Sequence, residues 1–169
     1  MALTYNRHEL KIQQIFNDFN DGVLIVDTSY QRRSVWLDRD KVRLIETVLM
    51  GLIIPEVYFW DAETDPDTGK TITHIVDGQQ RINAIAQFIN NEFKLSKDFL
   101  IDQEISEKYG NKYFSDLGND DKILIWTFNL SIVRIKDKNM DEIRNIFYRL
   151  NLTNYSLNDQ EKRHSNTWG

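Results

Sequence analysis

Residues 71–89 of the chain read TITHIVDGQQRINAIAQFI. The first six residues are rich in isoleucine, valine and threonine, which is typical of a strand, and Asp77-Gly78 then marks a tight turn. Apolar residues recur at helical spacing after the turn, at Ile82, Ile85, Ala86 and Ile89. The stretch therefore predicts a strand at 71–76, a turn, and a helix at 79–90.

The segments on either side of this unit also predict a mixture of strands and helices. Helical spacing of apolar residues predicts helices at 9–20, 39–50, 104–109 and 141–150. Short apolar runs predict strands at 23–26 and 53–60, with a polar hairpin loop at 61–70. The β-branched and aromatic residues of 123–135 predict one long strand or two short ones. We therefore expect an α/β (α+β) fold, with residues 1–169 forming a single domain.

The composition of the chain excludes several classes of protein and of functional site. With 41% hydrophobic residues and only two prolines among 169 residues, the chain can bury an ordinary core. The absence of cysteine excludes disulfides, cysteine-ligated zinc and a thiol nucleophile. The N-terminus is polar and no apolar run approaches the ~20 residues of a membrane span, so we expect a cytoplasmic protein without a membrane partner. A net charge of -5 does not fit a generic basic nucleic-acid binder, so polyanion binding would need a local basic patch.

The predicted turn carries residues suited to a phosphate. A helix N-terminus presents main-chain N–H groups and a partial positive charge, and Gly78 permits close backbone approach. Gln79 and Gln80 add amide groups, Arg81 adds a planar fork that matches phosphate oxygens, and Asp77 is suited to Mg²⁺ or to orienting water. The alternative is an ordinary turn with exposed glutamines on a surface helix, and the local pattern alone does not separate the two.

A second group of polar residues lies between apolar segments. It consists of Tyr30, Gln31, Arg32 and Arg33, a set that can hold phosphate or stack on a base of DNA. The alternative, which the residues alone slightly favour, is that the two arginines pair with acids on the surface of this acidic protein.

A third group follows the helix predicted at 141–150. Arg149 at a helix C-terminus interacts favourably with the helix dipole, so a structural role is the simpler interpretation. Asn151 can line a cleft or simply form the turn. The three histidines, at 8, 74 and 164, show no metal-ligand spacing and no Ser-His-Asp arrangement.

Taken together in order, these motifs resemble one known family over nearly the whole chain. The matching positions are Tyr30-Gln31-Arg32, Val35-Trp36, Leu44-Ile45, residues 51–55, residues 76–81 with Ile85, Arg149-Leu150-Asn151, Leu157, Glu161 and Arg163. The chain is similar to the N-terminal domain of GmrSD-type, modification-dependent restriction enzymes, which has a ParB/sulfiredoxin-like fold with a small mixed sheet flanked by helices.

The resemblance implies an NTP-binding and NTP-hydrolysing domain, with Mg²⁺, that couples nucleotide to restriction of modified foreign DNA. It assigns the nucleotide site to Asp77, Gly78, Gln79, Gln80 and Arg81. Gln31 and Arg32 would line the same cleft or sense the DNA modification. A nuclease domain or subunit is the implied protein partner.

Three departures limit the resemblance. Family members commonly continue into a helical region and a histidine-dependent HNH nuclease domain, and no such nuclease motif occurs here, so we do not expect this chain to cut DNA alone. Asn154 stands where relatives often have glycine. Sulfiredoxin chemistry requires a cysteine, which the chain lacks.

Three other functions compete with NTP hydrolysis. The first is a non-enzymatic module that reads modified DNA. The second is a ParB-like nuclease with a metal at Asp77, which is disfavoured because one carboxylate is a poor two-metal site. The third is a scaffold without activity.

Overall fold

A computed structural model describes residues 4–26, 36–136, 138–150 and 152. Five strands form one mixed sheet: β1 (Tyr5–Lys11), β2 (Leu24–Val26), β3 (Val57–Thr64), β4 (Thr71–Asp77) and β5 (Asn129–Ile135). Their order across the sheet is β1-β5-β3-β4-β2. The predicted mixed α/β class is confirmed.

The helices among the described residues are α1 (Ile12–Asn20), α2 (Asp38–Leu49), α3 (Gln79–Ile89), α4 (Gln103–Tyr109), α5 (Asn119–Trp126) and α6 (residues 140–150), with a 3-10 turn at Phe114–Asp116. None of them is long and apolar enough to cross a bilayer. The helices predicted at 39–50, 79–90, 104–109 and 141–150 are confirmed to within one residue or so at their ends.

The two faces of the sheet carry separate cores. Strand β3 runs antiparallel to β4 and parallel to β5, so it lies at the centre of the sheet. Because successive strand residues point to opposite faces, Ile75 joins the larger core under α1, α2, α3 and α5. Its neighbour Val76 joins a smaller core on the other face, where α6 contributes Ile143 and Phe147. The strand that ends at Asp77 is therefore covered on both faces.

Two predictions are wrong in part, although the helix at 12–20 and the strand at 129–135 are confirmed. The predicted helix at 9–20 begins only at Ile12, because the preceding residues form the edge strand β1 against β5. The run Ile123 to Trp126, predicted as strand, belongs to α5. A short apolar run does not distinguish a strand from a helix, and two acids in the first turn, Asp120 and Asp121, favour a helix N-terminus here.

Strand β3 is also displaced from its prediction at 53–60. It begins at Val57 and continues to Thr64, so the hairpin loop is shorter than the predicted 61–70. Ile53, which was expected in the strand, is 94% exposed in the stretch before it. The residues just before β3 thus form a connection that ends beside the turn after β4.

Helix α2 is anchored by a buried acid. Glu46, only 4% exposed, accepts hydrogen bonds from the main-chain N–H groups of Ile101 and Asp102, each at 2.9 Å to Oε2. These bonds satisfy the carboxylate, which is otherwise costly to bury. They fix α2, and with it the segment that leads into α2, relative to the loop before α4.

Candidate functional site

The turn at residues 77–81 joins the central part of the sheet to α3. Gly78 is the N-cap residue of α3 and has a left-handed backbone with φ of 100°. A Cβ atom at this position would lie 2.9 Å from Val57 Cγ1 and 3.2 Å from Arg81 Nη2. Glycine is therefore required both by the backbone conformation and by the close approach of β3. The predicted glycine turn is present, and the side chains of Val57 and Arg81 lie next to Gly78.

The N-terminus of α3 has no side-chain cap, because its cap residue is a glycine. The first N–H groups of a helix have no partner inside the helix, and together they carry a partial positive charge. Helix α3 has eleven residues, and its hydrogen bonding starts at the turn itself, with Ile82 N–H donating to Gly78 O at 3.1 Å. The turn thus forms the N-terminus of a well-formed helix whose cap residue has no side chain, which is a suitable place for an anion.

An irregularity in the sheet sets the position of Asp77. Phe59 pairs with Ile75, yet Tyr58 pairs with Asp77, so the register shifts by one residue at the end of β4. Such bulges bend the strand and redirect side chains, and they often occur beside functional sites. The shift places Asp77, with its half-buried side chain, directly across from Tyr58.

Charged groups of both signs surround Tyr58. Burial raises the pKa of its phenol, and the carboxylates of Glu56 and Asp77 raise it further, while Arg7 and Arg81 act in the opposite direction. Two acids and two guanidinium groups therefore lie within electrostatic range of one phenol at the end of β4. Glu56 and Tyr58 were missed in the sequence because they precede the turn by about twenty residues and belong to no recognised motif.

Arg81 connects the turn to the start of β3. Its Nη2 donates to the main-chain carbonyl of Glu56 at 2.7 Å in a partly buried position. This bond uses one of the five donors of the guanidinium fork. The same Nη2 lies beside Gly78, 3.2 Å from the position that a Cβ atom on this glycine would take.

The two glutamines of the turn have different environments. Gln79 is 5% exposed, and its buried Oε1 finds no hydrogen-bond partner among the described residues. Gln80 is half-buried, and its Oε1 accepts a hydrogen bond from the main-chain N–H of Trp36 at 2.8 Å. The side-chain oxygen of Gln79 therefore accepts no hydrogen bond from the described residues, whereas Gln80 links the turn to Trp36, which is distant in the sequence.

The predicted residues Tyr30, Gln31, Arg32 and Arg33 lie outside the described residues, but both flanking residues are placed. Val26, at the end of β2, pairs in parallel with Ile75, two residues before Asp77. On the other side, Trp36 is bonded to Gln80. The described residues on either side of 27–35 therefore both lie near the 77–81 turn.

The last predicted group is only partly described. Arg149 is exposed on α6, whereas Asn151 lies outside the described residues. The apolar side of α6 packs against the sheet beside Val76, the residue that precedes Asp77. Among the described residues, no three histidine, aspartate or glutamate side chains are grouped closely enough to bind a metal ion by themselves.

The histidines that are described are both part of the packing. His74 is buried and makes an edge-to-face contact with Trp60 at 5.2 Å between ring centroids. His8 on β1 accepts a hydrogen bond from Arg134 Nε at 3.1 Å, and Arg134 also pairs with Asp61. This second polar group lies toward the start of β4, since Asp61 is bonded to Thr73 Oγ1, and it is separate from the 77–81 turn.

Comparison with known proteins gives one match. Residues 12–168 match the model of a family described as "GmrSD restriction endonuclease, N-terminal domain". No curated protein and no solved structure matches the chain. The family match covers nearly the whole sequence, including the 77–81 turn and the segment 27–35.

Proposed function

We propose that this chain, which belongs to the family of GmrSD restriction endonuclease N-terminal domains, binds and hydrolyses a nucleoside triphosphate at the 77–81 turn. Membership of the family makes it a domain of a restriction system. The nucleotide activity is the further step, and it rests on the geometry of this turn.

The observation that carries the proposal is the N-terminus of α3 at Gly78, with Arg81 in the first turn of the helix. Main-chain N–H groups at this end donate to phosphate oxygens, and the helix dipole favours their negative charge. Arg81 adds a guanidinium group whose place is fixed by its bond to Glu56 O. Phosphoryl transfer needs little more from a protein than such positioning and charge stabilisation.

Asp77 fits the role of a Mg²⁺ ligand. Mg²⁺ in nucleotide sites is held by one or two carboxylates, water and the phosphates themselves, so a single acid at the end of β4 is sufficient. Bound Mg²⁺ would neutralise charge on the phosphates. The alternative role for Asp77 is that of a base toward water, and the two roles exclude each other in one step.

Gln79 is the glutamine that we assign to the reacting water. Its Oε1 is an acceptor without a hydrogen-bond partner among the described residues, at the first position of α3. An amide oxygen of this kind can accept a hydrogen bond from water or from a nucleotide hydroxyl. Gln80 is less suited, because its Oε1 already accepts from Trp36.

Arg32 and Gln31 are expected to complete the phosphate contacts. The described residues on either side of the segment 27–35 are both close to the turn, since Val26 pairs with Ile75 and the main-chain N–H of Trp36 donates to Gln80. In this proposal Arg32 supplies a second guanidinium group to the same phosphates.

The test is binding of Mg²⁺ with ATP or GTP by calorimetry, together with phosphate release, for the wild type and two variants. Asp77→Asn removes the charge that holds Mg²⁺, and Arg81→Lys keeps the charge but loses the fork. We expect each to reduce phosphate release at least tenfold. Arg43→Lys is the matched control, since Arg43 on α2 also donates to a main-chain carbonyl but lies at an exposed position. Equal rates in all four proteins would exclude hydrolysis at this turn.

A second function, recognition of modified DNA, is favoured by the same segment. Tyr30, Arg32 and Arg33 belong to the types of residue that contact phosphates and bases of nucleic acids. We expect salt-sensitive binding to modified DNA that weakens in Arg32→Ala and Arg33→Ala. DNA binding that is undetectable for the wild type with both modified and unmodified duplexes would exclude this function.

A further inference from the structure

We propose that Gln80 is a positioning residue, which transmits the state of the nucleotide turn to the start of α2 through the main chain of Trp36. The inference rests on the proposed nucleotide site and deepens it by naming a route of regulation. It differs from the expectation that Gln80 positions water, because the oxygen that would do so is already engaged.

The contact joins two parts of the chain that are 44 residues apart. Gln80 is the second residue of α3, and Trp36 lies two residues before the first residue of α2. Trp36 is half-buried and packs against the larger core. The N–H group that Gln80 satisfies is thus in a partly buried position, where loss of its acceptor is costly.

Helix α2 is held rigidly at a different point. The Glu46 carboxylate binds the N–H groups of Ile101 and Asp102 near the other end of α2. The hydrogen bond from Trp36 to Gln80 joins the residues leading into α2 to the first turn of α3. A shift of that first turn upon anion binding therefore acts on Trp36 directly, through one hydrogen bond.

Three variants separate this role from a catalytic one. Gln80→Glu keeps an acceptor oxygen at the same distance along the side chain, whereas Gln80→Met keeps the length and the helix propensity but removes the amide oxygen. Gln87→Met is the matched control, because Gln87 is also half-buried on α3 and lies two turns further along. A positioning role requires that Gln80→Glu rescues what Gln80→Met loses.

The first measurement is amide hydrogen exchange of Trp36 in the protein without nucleotide. We expect Gln80→Met to accelerate exchange at Trp36 about tenfold, the effect of losing one hydrogen bond. Gln80→Glu and Gln87→Met are expected to match the wild type. Equal exchange at Trp36 in Gln80→Met and wild type would overturn the proposal, whatever happens with nucleotide.

The second measurement repeats the exchange with saturating Mg²⁺-ATP or Mg²⁺-GTP. We expect nucleotide to slow exchange at Trp36 in the wild type and in Gln87→Met, and to leave it unchanged in Gln80→Met that still binds nucleotide. Nucleotide-dependent slowing that persists in Gln80→Met would overturn the coupling. A wild type that binds neither nucleotide would reject the proposed function and the coupling together, while the first measurement still decides whether Gln80 holds Trp36.

Discussion

Arg81 donates through Nη2 to the main-chain carbonyl of Glu56, so the arginine of the candidate site also closes the junction between α3 and the start of β3. Removing it leaves a partly buried carbonyl without this donor. We expect Arg81→Ala to lower the free energy of unfolding by about 1–3 kcal/mol in the absence of any nucleotide. Urea unfolding followed by circular dichroism measures this loss.

The control for this prediction is Arg43→Ala. Arg43 Nε donates to Phe99 O at 3.1 Å in an exposed position, where water can replace the lost donor. We expect Arg43→Ala to lower the free energy of unfolding by less than about 1 kcal/mol. If the two variants lose the same stability, the bond between Arg81 and Glu56 has no special structural role, and loss of activity in Arg81 variants can then be assigned to the ligand alone.

Gly78 is expected to tolerate alanine much less well than Gly51, another glycine with a left-handed backbone. Gly78→Ala combines a left-handed backbone with overlap against Val57, whereas Gly51→Ala has a similar backbone, with φ of 69°, and nothing within 4 Å of the new Cβ. We expect Gly78→Ala to cost about 1–3 kcal/mol more than Gly51→Ala, the typical range for overpacking. Thermal and urea unfolding of both variants give the comparison.

A double variant separates the two sources of strain at Gly78. In a Val57→Ala background the overlap disappears but the backbone conformation stays, so the additional cost of Gly78→Ala should shrink toward that of Gly51→Ala. An unchanged additional cost would show that β3 does not limit this position.

Glu46 should be important for stability without taking part in the site. We expect Glu46→Ala to cost about 2–3 kcal/mol, because two main-chain N–H groups lose a charged acceptor. Glu46→Gln is the control, since one amide oxygen in the place of Oε2 can still accept both bonds. Denaturant unfolding should therefore rank wild type, Glu46→Gln and Glu46→Ala in that order, and a reversed order of the two variants would contradict the assigned contact.

The pH dependence of stability should contain a contribution from His8. Burial lowers the pKa of its imidazole and Arg134 lowers it further, with Lys136 acting in the same direction and Glu9 and Asp61 opposing. The unfolded chain, with a histidine pKa of about 6.5, then binds the proton more readily than the folded one. The contribution is therefore complete above that pKa and decreases as the pH falls below it.

Unfolding free energies measured between pH 8 and pH 5 test this contribution. We expect His8→Gln, which offers an acceptor that does not titrate, to have a smaller loss of stability toward pH 5 than the wild type. A steeper loss in the variant would contradict a lowered pKa in the folded state.

The sequence was sufficient for elements that are defined locally. The β4–turn–α3 unit was predictable because its strand composition, its glycine and its helical spacing all lie within nineteen residues. Strand β1 was not predictable, since an exposed edge strand carries polar residues such as Arg7, Glu9 and Lys11 instead of an alternating pattern. The short apolar run of α5 is compatible with either a strand or a helix, so its sequence did not decide between them.

The site was predictable only in part, for a related reason. The motif residues were identifiable, but their contacts depend on residues far away in the sequence. Gln80 bonds to Trp36 and Arg81 bonds to Glu56, and neither partner shows a local signal for that role. Sequence patterns report which groups are present at a turn, whereas the fold decides which of those groups are already engaged.

The pairing of β1 with β5 has a consequence for how the domain folds. His8 and Arg134, which are hydrogen-bonded across these strands, are 126 positions apart in the sequence. The pairing of β1 with β5 therefore joins residues at a very large sequence separation. Contacts between residues so far apart in the sequence slow folding, because the chain loses conformational entropy before these contacts form. During synthesis on the ribosome, the first strand must therefore wait unpaired until nearly the whole domain has emerged.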